Sequence, residues 1–182
     1  GSVGAGDIRL VTDTNAVITS TSGWAYTSAS TINSLSPASG QYGTRITMTG
    51  NLLLGQTNGD RLVEVTLAGI NATLVEVTDQ SRAIIIAEES TVAIVGDVFV
   101  RSNSGATASL ASGWEYVQRG SVSDVSPPFG QIKTRVTVRG VNLYQGGSSV
   151  LQVDLAGTDS DIISQSNSEI VVDVRRANAL DG

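Results

Sequence analysis

The chain repeats itself, and the repeat limits what it can fold into. Residues 6–26, GDIRLVTDTNAVITSTSGWAY, match residues 96–116, GDVFVRSNSGATASLASGWEY, at an offset of 90 with no gap. GQYGTRITMTGNLL (40–53) matches GQIKTRVTVRGVNL (130–143) at the same offset, and SLSPASGQ (34–41) matches DVSPPFGQ (124–131). VTLAG (65–69) matches VDLAG (153–157) at an offset of 88. Self-similarity at a fixed period marks one structural unit made more than once. The copies are cut out of phase. Residues 1–29 are expected to be the last two strands of one unit, 30–118 a complete unit, and 119–182 the first strands of a further unit. The two end pieces are complementary and together span close to one period.

The local pattern within each copy has a period of two. TRITMTG (44–50), LVEVTLAG (62–69), ATLVEVT (72–78), RAIIIAE (82–88) and GDVFVRS (96–102) alternate apolar and polar residues. So do TRVTVRG (134–140), LQVDLAG (151–157) and EIVVDVR (169–175). Short runs rich in Val, Ile and Thr, bounded by Gly, Asn, Asp or Ser, read as antiparallel strands with one buried face. No segment carries a helical apolar stripe over three turns. The expected fold is all-β, a tandem of β-sandwiches. Ile46 and Met48, and likewise Val136 and Val138, are expected to face the core. Pro37 and Pro127 stand ahead of the first long strand of their copies, where a missing N–H costs least. Gly50 and Gly140 are expected to end that strand in a turn that needs a permissive backbone.

Composition removes several functions. The chain has no Cys and no His, so zinc and haem sites and disulfide framing are disfavoured. Its basic residues are ten Arg and the single Lys133, and the net charge is −6, which leaves no cationic footprint for nucleic acid. No apolar run approaches 18 residues, so no membrane span is expected. There is no initiator Met and no signal-peptide pattern, so the chain reads as a processed or excised piece of something longer. The opening GS fits a cloning scar or native sequence equally well.

INSLSPASGQYGTRITMTGNLL and VSDVSPPFGQIKTRVTVRGVNL resemble the opening of the IPT/TIG family of immunoglobulin-like β-sandwiches. In that pattern Ile/Val and Ser-Pro-x-x-Gly precede Gly-Thr-x-Val-Thr-Ile-x-Gly-x-x-Leu/Phe. VTLAGINATLVEVTDQSRAIII is similar to the family's Val-x-Phe-Gly-Gly turn and the strand pair after it, and GWEY sits where the family closes a domain with an aromatic-x-Tyr. The resemblance covers nearly the whole chain and occurs twice. It departs at Lys133, which replaces Gly43, so the second copy's turn is not expected to need a positive φ.

The candidate sites each have a plain reading beside a sharper one. Trp24 with Tyr26, and Trp114 with Tyr116, could stack on a sugar or a base. Because they recur with the period of the fold, they are expected to be closing-strand core aromatics, with the indole N–H finding a partner. The acids in DSD (159–161) and EES (88–90) could attract Ca²⁺, but no looped Asp array supplies six to eight oxygens, so they read as solvated acids. GAGD (4–7) leads into a strand, not a helix, which removes a phosphate-loop reading. NAT (71–73) is the single Asn-x-Ser/Thr sequon, which makes Asn71 a candidate glycosylation site in an exposed turn.

No enzyme and no cofactor are expected. The leading expectation is a structural protein of an extracellular fibre or cell-surface array. It would be built head-to-tail, with 1–29 of one copy completing 119–182 of the next. Equally, the units could be consecutive repeats of one long covalent chain. A different class of function is an adhesion or ligand- and carbohydrate-binding repeat of a larger surface receptor or secreted enzyme. DNA binding, known in this family through basic loops, lacks those loops here.

Overall fold

The computed structural model describes residues 3–56 and 59–175. The outermost ends of the expected first and third units, 1–2 and 176–182, lie outside the described residues. Sixteen strands and no helix occupy the described residues. They begin with a hairpin, β1 (Gly4–Val11) and β2 (Val17–Tyr26), which forms a two-stranded sheet of its own.

A complete sandwich follows. Its strands are β3 (Thr31–Ser36), β4 (Ser39–Gly40), β5 (Arg45–Asn51), β6 (Leu62–Leu67), β7 (Ile70–Asn71), β8 (Thr73–Asp79), β9 (Arg82–Ile86), β10 (Ile94–Ser102) and β11 (Thr107–Tyr116). One sheet has the order β3-β5-β9-β8 and the other β4-β11-β10-β6-β7. Alternation places Ile46 and Met48 of β5, Ile85 of β9, and Val98 and Val100 of β10 inward, and all are fully buried. Trp114 and Tyr116 close the same core from β11. β6 turns into β7 through Ala68 and Gly69, both at positive φ (49° and 81°), the geometry of a two-residue hairpin turn that matches strand twist.

The C-terminal strands are β12 (Ser121–Ser126), β13 (Arg135–Val141), β14 (Asp154–Leu155), β15 (Thr158–Gln165) and β16 (Glu169–Val174). They form one sheet, β12-β13-β16-β15-β14, which reproduces β3-β5-β9-β8 and adds a two-residue stub. The alternating run expected as a strand over 151–157 is a strand only at 154–155. The physical reason is the ladder. In the complete sandwich the matching residues, 62–67, pair with β10, and among the described residues the C-terminal sheet has no such neighbour.

Two local expectations are corrected. Gly50 and Gly140 lie inside β5 and β13, and the positive φ falls two residues later, on Leu52 (51°) and Asn142 (52°). Glycine is required there for room. A Cβ on Gly50 would sit 2.3 Å from the Thr31 carbonyl oxygen, and one on Gly140 would sit 2.1 Å from that of Ser121. Lys133, in place of Gly43, does not relax its turn: its φ is 67° against 82° for Gly43. The bonds that close the turn are the same, Gly43 N–H to Ala87 O at 2.9 Å and Lys133 N–H to Val174 O at 2.8 Å, so the ladder imposes the conformation on a residue poorly suited to it.

Candidate functional site: an unpartnered hairpin and an open sandwich

The β1–β2 hairpin copies β10–β11 rung for rung. Gly4↔Tyr26, Gly6↔Trp24, Ile8↔Ser20, Arg9↔Thr19 and Leu10↔Ile18 correspond to Ile94↔Tyr116, Gly96↔Trp114, Val98↔Leu110, Phe99↔Ser109 and Val100↔Ala108. The register shift falls at the same place, Gly6/Ile8 and Gly96/Val98. Asp7 accepts the Ser22 N–H at 2.8 Å as Asp97 accepts that of Ser112 at 2.9 Å. Trp24 and Tyr26 meet edge to face at 6.1 Å, as Trp114 and Tyr116 do at 5.6 Å.

The environments of the two hairpins are opposite. Trp114 is fully buried, whereas Trp24 is 59% exposed. Ile8, Leu10, Ile18 and Tyr26 are exposed, and their counterparts Val98, Val100, Ala108 and Tyr116 are buried. A lone two-stranded hairpin is marginal in water, and this one presents a full core face to it.

The C-terminal sheet carries the reciprocal defect. Among the described residues its core has four buried members, Val136, Val138, Ile170 and Val172, against seventeen in the complete sandwich. Leu143, Val150, Val153 and Leu155 are only partly buried, whereas Leu53, Leu62, Val65 and Leu67 at the matching positions are buried. Two grooves open on this face. One, of ≈ 400 Å³, is lined by Val125, Phe129, Val136, Leu155 and Val174; the other, of ≈ 270 Å³, by Val138, Leu143, Val150, Val153 and Ile170. Gln41 is buried and its amide donates to the Val117 carbonyl just past β11 (3.0 Å), whereas its counterpart Gln131 is exposed.

The IPT/TIG domain family model matches residues 30–112 and 121–179. The chain belongs to the IPT/TIG family. The first match covers the complete sandwich up to β11, the second covers the open sheet, and the β1–β2 hairpin lies outside both. No curated protein sequence matches the chain. Among solved structures, two of the plexin A4 full extracellular region share this fold. One has a TM-score of 0.52 at 20% identity over 83% of this chain, the other 0.55 at 17% identity over 84%. This chain spans 16% and 13% of those chains. A surface glycan-binding protein from Prevotella bryantii matches 83% of this chain at 12% identity with a TM-score of 0.39, and 37% of that protein is spanned.

Trp114 and Tyr116 lie on β11 just past the first family match, and both are fully buried in the core of the complete sandwich. Among the described residues the Trp114 Nε1 and the Tyr116 hydroxyl are buried without a hydrogen-bond partner, contrary to the expectation for the indole. An unpaired buried donor costs about 1–3 kcal/mol, which the large apolar area of an indole at the centre of the core offsets. Burial raises the Tyr116 hydroxyl above its ordinary range, and the nearby Glu88 carboxylate adds to this.

The other sequence candidates lie elsewhere. Asn71 is exposed, in the edge strand β7 rather than a turn, opposite Thr66. Asp159 and Asp161 both bind the Arg175 guanidinium, and Glu89 pairs with Arg119. Among the described residues no group of three or more acids could hold a metal ion. No helix of the described residues is long and apolar enough to cross a membrane.

Proposed function

We propose that this is a non-catalytic structural protein of an extracellular or cell-surface assembly whose IPT/TIG sandwiches join head to tail. In this reading residues 1–29 are the closing strands of one sandwich, 30–118 a complete one, and 119–182 a sandwich awaiting its closing strands. The hairpin of one copy inserts over the open sheet of the next. The observation that carries the proposal is the hairpin itself: it has the register of β10–β11, with the face that should be core turned to solvent. Fully burying an exposed large apolar side chain yields about 1.5–3 kcal/mol, and Ile8, Leu10, Ile18, Trp24 and Tyr26, each 39–61% exposed in the free hairpin, would each gain part of that on docking. Such a contact is heterologous and propagates into a filament.

Electron microscopy and sedimentation of the purified chain, with and without residues 1–29, test this. Filaments that vanish on deletion, with β3–β11 still folded, support it. A chain that stays monomeric at high concentration, or filaments that persist after deletion, overturn it.

The second reading keeps the modules and changes the connection. The likeness in fold to solved structures of the plexin A4 full extracellular region fits a repeat array of a larger surface protein, one that could bind ligands, in which the hairpin completes the preceding repeat of the same chain. Mass under denaturing conditions separates the two: assembled material that resolves to single protomers supports the first, and a far larger covalent mass supports the second. In either case Asn71, exposed on an edge strand, is the proposed glycan attachment point.

A further inference from the structure

Resting on the head-to-tail reading, we infer that the hairpin's partner is one acceptor in one register: the open C-terminal sheet of a second copy, selected by an ion pair between Arg9 and Asp154.

The register follows from the complete sandwich. There β10 pairs with β6 through Val98↔Leu67, Phe99↔Thr66 and Val100↔Val65. Carried through the repeat, the rungs become Ile8↔Leu155, Arg9↔Asp154 and Leu10↔Val153. The outer rungs are apolar and match the core positions they replace. The middle rung changes in character. Phe99 and Thr66 are neutral, and both of their counterparts are charged, with opposite signs. In both copies this rung lies on the outer face, because its neighbours Val98, Val100, Val65 and Leu67 point inward and are buried. Directly opposed Cβ atoms on antiparallel strands stand about 4.5–5.5 Å apart, within reach of an Arg–Asp pair.

Among the described residues the acceptor is short of a cation at this point. Asp154 stands directly across from Asp159 on β15, two like charges on one rung, where the complete sandwich has Thr66 and Asn71. Arg175 is bound to both Asp159 and Asp161, and the polar side-chain partner of Asp154 is the Gln152 amide, at 3.0 Å. Arg9 would arrive beside the carboxylate that Arg175 leaves unpaired. The sandwich's own ion pair lies two rungs further on, Arg101 with Glu64 at 2.9 Å, and its counterparts Val11 and Gln152 carry no charge. The charged rung is therefore moved, not copied. It also separates correct from incorrect pairings. Hairpin β1–β2 on the central sandwich would set Arg9 against Thr66, and β10 on the open sheet would set Phe99 against Asp154.

The test uses the full chain in four forms: wild type, Arg9→Asp, Asp154→Arg and the double variant. Each single variant sets like charges against each other in a homopolymer. The concentration of half-assembly, read by light scattering at low salt, is expected to rise about tenfold for each, a shift of about 1.4 kcal/mol. In an alternating mixture of the two single variants every junction again joins opposite charges. One junction keeps the native pair, and the other carries the same pair with its signs exchanged. The mixture is therefore expected to restore assembly, as is the double variant. The difference should narrow at 0.5 M salt, where exposed charges are screened beyond a few ångströms. If the wild type assembles and the single variants assemble equally well, the ion pair is refuted while the head-to-tail reading stands. Weakened single variants that neither the mixture nor the double variant rescues also refute it. If the wild type does not assemble, the head-to-tail reading itself fails.

Discussion

Gly96 packs against Ala68 so closely that a Cβ added to it would sit 2.7 Å from both the Ala68 Cα and Cβ. Gly6, the matching glycine of the free hairpin, has nothing within 4 Å of that point. The first glycine is required by its neighbour; the second has open space at the matching point. On the open sheet Ala156 takes the same turn geometry as Ala68, φ 52° against 49°.

Gly6→Val should therefore separate folding from assembly. The free hairpin has room for the side chain, and a β-branched residue suits a strand. On docking, the valine would overpack against Ala156, at a typical cost of about 1–3 kcal/mol. Sedimentation should show association weakened roughly ten- to hundredfold, with the urea unfolding of the central sandwich unchanged. Gly96→Val should do the reverse and lower the urea midpoint directly. Equal effects of the two substitutions on unfolding would contradict this division.

The two tryptophans should divide in the same way. Trp114→Ala removes the largest buried side chain of the central core and is expected to cost about 3–5 kcal/mol in chemical unfolding. Trp24→Ala should leave that transition in place and abolish assembly. In Trp114→Phe, Trp24 is the only remaining indole. Its emission should lie at the exposed, red end in dilute protein and shift blue as concentration rises. Emission that stays constant across the assembly range would mean that Trp24 remains in water.

The repeat made much of this legible in advance. Strand periodicity placed Ile46, Met48, Val136 and Val138 inward; the recurrence of Trp24 and Trp114 led to a core expectation for both, and of the two only Trp114 is buried within this chain, Trp24 being exposed. What escaped were features that depend on a neighbouring strand. Gly50 looked like a turn residue because the close approach of the Thr31 carbonyl leaves no mark in the sequence. LQVDLAG read as a full strand because alternation reports which face a residue wants, not whether a ladder partner is present. Lys133 looked like a relaxed turn because sequence shows the loss of a glycine but not the bonds that hold φ positive. The proposed Arg9·Asp154 rung has no local signal in the sequence; only the β10–β6 register, carried through the repeat, sets the two positions opposite each other.

Lys133 is the clearest site for stabilisation. A non-glycine residue in the left-handed region costs about 1–2 kcal/mol. Lys133→Gly removes that strain, and the added freedom of the unfolded chain returns part of the gain. The net expectation is a stabilisation of about 0.5–1 kcal/mol, seen as a higher urea midpoint for the C-terminal sheet by hydrogen exchange at β13 and β16. Gly43→Lys in the central sandwich should cost a similar amount. A destabilising Lys133→Gly would show that the lysine side chain contributes more than its backbone loses.

The C-terminal sheet should also have an acid-sensitive edge. Arg135 grips Asp173 with two bonds of 2.9 Å across β13 and β16, and Arg175 binds Asp161. The hydrogen bond from Arg135, and then its charge, hold the Asp173 carboxyl below the ordinary value of 3.8, and Arg175 acts in the same sense on Asp161. A carboxyl that binds its proton less readily in the folded chain than in the unfolded one stabilises the fold above the unfolded value. That contribution disappears as pH falls through the lowered folded value. Thermal stability of the sheet should thus be flat from pH 7 down to about 4 and decline below it, by a small amount because both pairs are exposed. Asp173→Asn should lower the plateau and flatten the acid limb. A carbon-13 titration of the Asp173 carboxyl reads the cause directly: the midpoint should lie below 3.8 in the wild type and move up in Arg135→Gln. A midpoint indifferent to Arg135 would remove this ion pair from the account of the sheet's stability.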